Sequence, residues 1–287
     1  MKSEEAKELA KQIQVGAYDL HVHSKPSPFE RGFDGFEVIR QANKCGMAGV
    51  LLKSHYEPTA TRAQLINDNG GFRTKAYGGL VLNWPVGGLN IYAVENALKV
   101  GARIIWMPTR DSANCLRYGD MEGDFFRRPG ISICREDGRL RKEVYQIIDL
   151  VREKGAVLAT GHISPEESIQ LCKEARKMGA RIVLTHPEFP RTRILADTQK
   201  EMADSGVMIE KNWYNIASKT VSAEEMAQCI NTVGCEHIYI ATDRGQKGSP
   251  SPAEEYRNFI TALLEQGLTK EQLTIMTHTV PESIVKT

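Results

Sequence analysis

The sequence predicts an α/β fold, a single (β/α)8 barrel of the TIM type, and three observations support this prediction. Eight short apolar runs of strand length alternate with segments of helix length. In six of these units a glycine stands between the helical segment and the apolar run. Several helical segments also begin with a recognisable capping sequence. Eight strands separated by helices are typical of this barrel.

The strand candidates are mostly continuous apolar runs, as expected of parallel strands that are buried on both faces. The first is AYDLHVH near the start of the chain, and the third is GGLVLN around residues 78–83. A glycine at the end of a helix adopts the left-handed conformation without the steric cost of a Cβ atom. Each of the other six candidates follows such a glycine: Gly46, Gly101, Gly155, Gly179, Gly206 and Gly234.

Helix starts are indicated by the capping box S/T-x-x-E/Q, in which the hydroxyl and the acid each satisfy a free backbone N–H group. Four boxes begin at Ser164, Ser222, Ser251 and Thr269. Residues 1–14 are predicted to form an N-terminal helix. The stretches 24–35 and 109–138, after the first and fourth strands, are longer than ordinary loops. In a barrel both would lie beside the active site, and we predict that 109–138 is a lid.

Length alone leaves the number of domains open, because 287 residues fit either two average domains or one barrel. The eight units use nearly the whole chain, and no low-complexity segment or linker marks a second domain. The sequence therefore predicts one domain over residues 1–287, with the excess length placed in the two long loops.

Composition excludes several classes of protein. A net formal charge of +1 and 41% hydrophobic residues argue against disordered, fibrous and strongly nucleic-acid-binding chains. We expect no signal peptide, because the N-terminal stretch is charged and helical in pattern, and no apolar run nears the roughly 18 residues of a membrane span. The six cysteines form no CxxC pair, which favours a reduced protein. We predict a cytoplasmic protein without nucleic-acid or membrane partners, and a homo-oligomer remains open.

The strongest local signal is Asp19-Leu-His-Val-His23 at the end of the first strand. Alternate residues of a strand point to the same face, so His21 and His23 lie about 6.5–7 Å apart on one side. Two imidazoles on one strand can both reach a single metal ion. The pattern therefore predicts half of a metal site.

Three further strand ends carry residues of the same kind. His162 ends the fifth strand candidate, His186 the sixth and Asp243 the eighth. Barrel enzymes assemble their sites at the carboxyl ends of the strands. We therefore predict a metal centre built from His21, His23, His162, His186 and Asp243.

This ordered set resembles that of the amidohydrolase superfamily of metal-dependent barrel hydrolases. The resemblance covers about residues 15–285 and implies a bound divalent ion, Zn²⁺ first, with Mn²⁺ or Fe²⁺ as alternatives. It also implies that Asp243 takes a proton from the attacking water and passes it to the leaving group. His186 is expected to act in catalysis, where it or His162 could stabilise the developing oxyanion. Which histidine has which duty stays open.

The number of metal ions depends on two observations. Many binuclear members of that superfamily bridge two ions with Lys or Glu at the end of strand four, where this chain has IIWMPTR. One ion is therefore favoured. However, HVHSKPSP together with His55 at the end of the second strand is similar to the start of PHP-type phosphoesterases. His55 leaves a second metal ion open.

Basic residues also gather at the predicted strand ends, and guanidinium and ammonium groups suit a carboxylate or phosphate on a substrate. Arg191 and Arg193 follow the sixth strand. A small anionic substrate is therefore predicted, with four proposed contacts: Lys53, Arg110, Lys211 and Arg244.

The function predicted first is a metal-dependent hydrolase that uses a metal-activated water on an amide, a lactone or a related C–N or C–O bond. The alternatives are a PHP-like phosphoesterase, which His55 and the basic residues favour, and a metal-dependent non-oxidative decarboxylase of the same superfamily. A non-catalytic barrel that binds a ligand or partner would leave the His and Asp set without a purpose.

Overall fold

The computed structural model of the protein describes residues 3–119 and 128–286. Eight parallel strands form one sheet in the order of the sequence, each paired with the next. Their bounds are β1 Tyr18–His23, β2 Gly49–Lys53, β3 Lys75–Val81, β4 Ile104–Trp106, β5 Val157–Ala159, β6 Arg181–Leu184, β7 Met208–Asn212 and β8 Ile238–Ala241. The third strand begins three residues before the predicted run at Gly78.

The sheet curls into a nearly closed barrel, because backbone groups at the end of β1 meet those that follow β8. His23 N donates to Arg244 O over 2.8 Å, and Asp243 N donates to His21 O over 2.8 Å. The predicted single (β/α)8 barrel is confirmed. These contacts place the two histidines beside Asp243.

The helices lie between the strands and around the barrel. Their bounds are α1 Ser3–Gln14, α2 Gly35–Lys44, α3 Ala60–Asn69, α4 Ile91–Lys99, α5 Ala113–Tyr118, α6 Lys142–Glu153, α7 Pro165–Lys177, α8 Ala196–Asp204, α9 Trp213–Ala217, α10 Ala223–Val233, α11 Pro252–Glu265, α12 Lys270–Thr274 and α13 Val280–Val285. Within the described residues, none of these helices has the length and apolarity needed to cross a membrane.

The glycines predicted to end helices and the capping residues predicted to begin them are present in the structure. All six glycines before the strands have positive φ. Complete capping boxes form at Ser164, Ser222 and Thr269. At Ser251 the hydroxyl half is present, in which Oγ accepts a hydrogen bond from Glu254 N. Local sequence signals therefore set the starts and ends of these helices.

Two layers of apolar side chains hold the barrel together. The larger layer fills the space between the strands and the surrounding helices. The smaller one fills the barrel interior with residues such as Leu51, Trp106 and Val183, and α13 packs against it through Ile284. With its lower part filled, the barrel leaves space for a site only at the carboxyl ends of its strands.

The two long loops follow β1 and β4, as predicted. Phe29, Glu30 and Arg31 from residues 24–35 line the central cavity, as does Arg110 at the start of residues 109–138. Asp111 forms an ion pair with Arg128, in which Oδ1 of Asp111 lies 2.8 Å from Nη2 of Arg128. Residues 120–127 of the predicted lid lie outside the described residues, so its role stays a prediction.

Candidate metal centre and active-site cavity

A cavity of about 510 Å³ opens at the carboxyl ends of the barrel strands. Its floor contains the side chains on which the metal prediction depends, and its walls combine cations with aromatic rings. The residues that matter for the chemistry are His21, His23, Lys53, His55, His162, His186, Asp243, Arg31, Arg110, Arg191, Phe29, Phe189 and Tyr214.

Three potential metal ligands converge on this floor. Nε2 of His21 and Nε2 of His23 each lie 3.1 Å from Oδ1 of Asp243. One ligand atom from each residue lies within 4.8 Å of the others, and across residues 3–119 and 128–286 this is the one group of its kind. Two imidazole nitrogens and one carboxylate oxygen suit Zn²⁺ and related ions.

Glu210 on β7 orients His21 from behind. Its Oε1 lies 3.0 Å from His21 Nδ1, and its Oε2 accepts a hydrogen bond from the Tyr239 hydroxyl over 2.6 Å. A carboxylate that accepts the Nδ1–H proton leaves the Nε2 lone pair facing Asp243, which is the arrangement found behind metal-binding histidines. Sequence reasoning missed Glu210, because alternation on β7 leaves open whether Glu210 or its neighbour Lys211 faces the interior of the barrel.

The charge balance of the floor also fits a cation. With Nδ1–H donated to Glu210, His21 Nε2 and the Asp243 carboxylate are two acceptors 3.1 Å apart. Burial lowers the pKa of His21, but the Asp243 and Glu210 carboxylates together outweigh burial and raise that pKa to about 9. Two acceptors this close repel each other, and a proton or a metal ion between them removes the repulsion. The donor set therefore fits a divalent ion.

Lys53 reaches the same floor from β2. Its Nζ lies 3.0 Å from His21 Nε2 and 5.0 Å from the centre of the Trp106 ring. Burial lowers the pKa of this ammonium group to about 8. Lys53 and His55 both line the cavity.

The other three histidines form one wall of the cavity. The His55 ring stacks on His23 with centroids 4.8 Å apart, and its Nδ1 lies 2.8 Å from Thr109 Oγ1. Nε2 of His162 lies 3.2 Å from Nε2 of His186. Burial lowers the pKa of all three, that of His186 to about 4, so these rings are neutral near pH 7.

Of the five residues predicted to hold a metal ion, three converge on the floor of the cavity, and His162 and His186 form a pair beside them. The ring of His186 lies 6.0 Å from that of His21. Both His186 and Asp243 have positive φ, at 28° and 52°. Non-glycine residues are uncommon in this conformation and occur often at functional sites. Ligation by His162 or His186 remains a prediction.

Three guanidinium groups line the cavity. Arg110 lies over the Phe29 ring at 3.8 Å, and Arg191 lies over the Phe189 ring at 4.3 Å. Arg31, from the loop after β1, lines the same cavity. Sequence reasoning did not single out Arg31, because a lone basic residue in a loop carries no periodic signal.

Two of the four predicted substrate contacts need correction. On β7, Glu210 points into the barrel, so its neighbour Lys211 points out, where its buried ammonium group pairs with Glu188. The side chain of Arg244 turns towards α11 and pairs with Glu255 over 3.1 Å. The structure therefore brings Lys53 and Arg110 to the cavity, but not Lys211 or Arg244.

Comparisons with known proteins place the chain in a family. A model for "Family of unknown function (DUF6282)" matches residues 16–210. The chain belongs to this family. Comparison with curated proteins gave no match.

Solved structures share the barrel of this DUF6282 member. An amidohydrolase from Pseudomonas aeruginosa is 14% identical, with a TM-score of 0.67 and 98% of both chains covered. The probable dipeptidase PvdM from the same organism is 12% identical, with a TM-score of 0.67 and coverage of 99% of this chain and 98% of that one. A putative 2-pyrone-4,6-dicarboxylic acid hydrolase from Pseudomonas putida is 11% identical, with a TM-score of 0.59 and coverage of 94% and 97%. The predicted resemblance to amidohydrolases is confirmed for the fold.

Proposed function

We propose that this protein is a metal-dependent hydrolase that acts on a small anionic substrate. The observation that carries the proposal is the convergence of His21, His23 and Asp243 at the bottom of a cavity lined by basic side chains. Histidine and carboxylate ligands that leave positions open are typical of catalytic rather than structural metal sites.

The residues at the floor of the cavity have two proposed roles, metal binding and proton transfer. His21, with Glu210 behind it, and His23 would hold the ion together with Asp243. A bound divalent ion would supply Lewis acidity and a water of lowered pKa. The Asp243 carboxylate, whose pKa the neighbouring His21 holds well below its usual range despite burial, is ionised and suited to accept the proton of that water.

The side chains that line the central cavity suit an anionic substrate. Lys53 on the floor and Arg31, Arg110 and Arg191 around it place positive groups on several sides of one cavity. Guanidinium groups bind carboxylates and phosphates through paired hydrogen bonds. One solved relative in fold is named for a dicarboxylic acid, which is consistent with such a substrate. We infer an amide, lactone or related ester that carries at least one carboxylate.

A phosphoesterase is the second candidate, and one observation favours it. His55 stacks on His23 at the edge of the ligand group, where its imidazole could contribute to a second ion. In the structure, however, His55 Nδ1 contacts Thr109, and the ligand group itself contains three residues. A single ion and carbonyl chemistry therefore remain the first proposal.

The proposal is tested by activity after metal removal and reconstitution. The chelator-treated protein is assayed with and without Zn²⁺ or Mn²⁺ on dipeptides, dicarboxylate lactones and p-nitrophenyl phosphate. We expect metal-dependent turnover of a carboxylate-bearing amide or lactone, which His23→Ala abolishes. Asp243→Asn should lower turnover at least about 10²-fold, as expected for loss of a general base. The control Asp149→Asn, at a half-exposed residue of α6, should not lower turnover. Turnover of the phosphoester alone would favour the second candidate, and metal-independent turnover would overturn both.

A further inference from the structure

The loop after β1 lies directly on the chain that follows β8. Arg31 of this loop pairs with Gln246 in an antiparallel β-bridge. A Cβ atom on Gly245 would lie 1.8 Å from His23 O, so only glycine lets the two segments approach this closely. The backbone therefore fixes Arg31 beside the two strand ends that carry His23 and Asp243.

The charge of the Arg31 guanidinium acts on the residues of the metal centre. Burial lowers the pKa of His23, and the Arg31 charge is the next largest cause of that shift. Burial also lowers the pKa of Arg31 itself, whereas the Asp243 carboxylate raises it. Arg31 thus lies within electrostatic reach of two of the three converging ligands.

The carboxylate next to Arg31 in the sequence is engaged elsewhere. Both oxygens of Glu30 accept hydrogen bonds from the exposed Lys247, over 2.8 and 2.9 Å. A divalent ion held by Asp243 would take up the charge of the other carboxylate that acts on Arg31. In the metal-loaded protein, an anionic group of the substrate is therefore suited to balance the Arg31 charge.

A second guanidinium group lies near Arg31. Arg110 lies over the ring of Phe29 at 3.8 Å, and Phe29 stands two residues before Arg31 in the same loop. After burial and Asp243, the Arg110 charge is the next influence on the pKa of Arg31, which it lowers. One carboxylate bound by both guanidinium groups would relieve this repulsion through paired hydrogen bonds.

We propose that Arg31 determines substrate specificity by binding, together with Arg110, a carboxylate that lies next to the bond to be cleaved. The inference rests on the proposed hydrolase function and adds the position of the anionic group. Because Arg31 is fixed beside the metal ligands, the carboxylate that it binds lies about one carbon from the reacting amide. The substrate class is N-acyl α-amino acids, not amides with a remote carboxylate.

Calorimetric titration of the Zn²⁺-reconstituted full chain tests this role without turnover. The probe is 3-benzoylpropionate, a ketone in which CH₂ replaces the amide N–H of N-benzoylglycine, so it cannot be hydrolysed. Its benzoyl group suits the Phe189 and Tyr214 rings that also line the cavity. We expect it to bind at least about 10-fold more tightly than its neutral amide and than 5-benzoylpentanoate, whose carboxylate is two carbons farther away.

Variants assign this preference to Arg31. Arg31→Gln should reduce both affinity ratios to less than about threefold, because it removes the charged donor. Lys247→Gln is the matched control, since it removes an exposed cation outside the cavity lining and should keep the wild-type ratios. Each ratio compares two ligands on the same protein, so a smaller folded fraction of a variant does not alter it.

Turnover of N-benzoylglycine and of N-benzoyl-4-aminobutyrate is measured separately. We expect kcat/KM at least about 10-fold higher for N-benzoylglycine, and loss of most of this preference in Arg31→Gln. Turnover of neither compound would contradict the hydrolase function, and the titrations with the ketones would still decide the role of Arg31. Equal binding of 3-benzoylpropionate and its amide, equal binding of the short and long ketone acids, or wild-type ratios in Arg31→Gln would overturn the proposal.

Discussion

Nδ1 of His21 lies 3.0 Å from Oε1 of Glu210, and both side chains are buried inside the barrel. The hydrogen bond joins β1 to β7 across the floor of the cavity. It fixes one tautomer of His21 and so sets which ring nitrogen faces Asp243 and His23. The orientation of the whole ligand group therefore depends on a carboxylate that is not itself one of the three converging ligands.

Glu210→Gln is expected to weaken metal binding about 10- to 100-fold, the usual scale for losing the carboxylate behind a metal-bound histidine. The amide oxygen can still accept from Nδ1–H, so the tautomer survives but the imidazole becomes less basic. Competition titration against a chromophoric chelator measures the change. Tyr239→Phe, which removes only the donor to Glu210, should have a smaller effect. Equal metal affinity in wild type and Glu210→Gln would contradict this role.

Arg110→Ala should raise KM for an anionic substrate about 10-fold or more and change kcat less, because the guanidinium binds a part of the substrate that does not react. Steady-state kinetics on a carboxylate-bearing substrate and on its neutral amide separate the two effects. Arg135→Ala is the matched control, since this exposed arginine lies outside the cavity lining. A similar KM increase for the neutral compound would argue against charge recognition by Arg110.

Lys211→Met is expected to act on stability instead. It removes the ammonium that pairs with the buried Glu188, and breaking a buried pair costs about 3–5 kcal/mol. Lys200 forms an exposed pair with Asp204 on α8, so Lys200→Met should cost less than about 1 kcal/mol. Denaturant unfolding of both variants measures these differences. If Lys211→Met unfolds like wild type but has a raised KM, the substrate role predicted from the sequence would be restored.

Stability should also depend on pH through Asp19. Burial raises the pKa of this carboxyl to about 7 from its ordinary value of 3.8, although hydrogen bonds from Thr242 oppose the shift. The folded state therefore binds more protons than the unfolded state between about pH 4 and 7. The free energy of unfolding then falls as pH rises through this window, by up to about 1.4 kcal/mol per pH unit.

Asp19→Asn removes this dependence. The difference in the free energy of unfolding between variant and wild type should move in favour of the variant from about pH 4 to 7 and stay constant above. Unfolding curves across that range measure it, with the exposed Asp204→Asn as the control variant. A difference that does not vary with pH would show that Asp19 titrates normally in the folded protein.

Much of the fold was predictable because its determinants are local. Gly155 and Gly179 end helices, Ser164 begins one, and the apolar runs between them are long enough to be buried strands. Period-two alternation also placed His21 with His23 correctly on one face. Each of these signals lies within a few residues of the element that it defines.

The parts that sequence reasoning missed depend on pairs that are distant along the chain. Glu210 matters because His21 lies opposite, and Lys211 is not at the cavity because Glu188 receives it on the other side of β7. Alternation along a strand shows that the side chains of two neighbouring residues point to opposite faces, but it does not show which one points into the barrel. On β7 the polar pair Glu210-Lys211 offered both choices.

Metal stoichiometry of the purified protein tests the central claim most directly. Elemental analysis of wild type, of His23→Ala and of the half-exposed control Asp149→Asn gives the number of ions per chain. We predict about one equivalent of a divalent transition metal in wild type and in the control, and a large loss in His23→Ala, because the variant lacks one of three ligands. Less than about 0.2 equivalents in wild type after reconstitution, or equal content in His23→Ala, would contradict a metal centre at these residues.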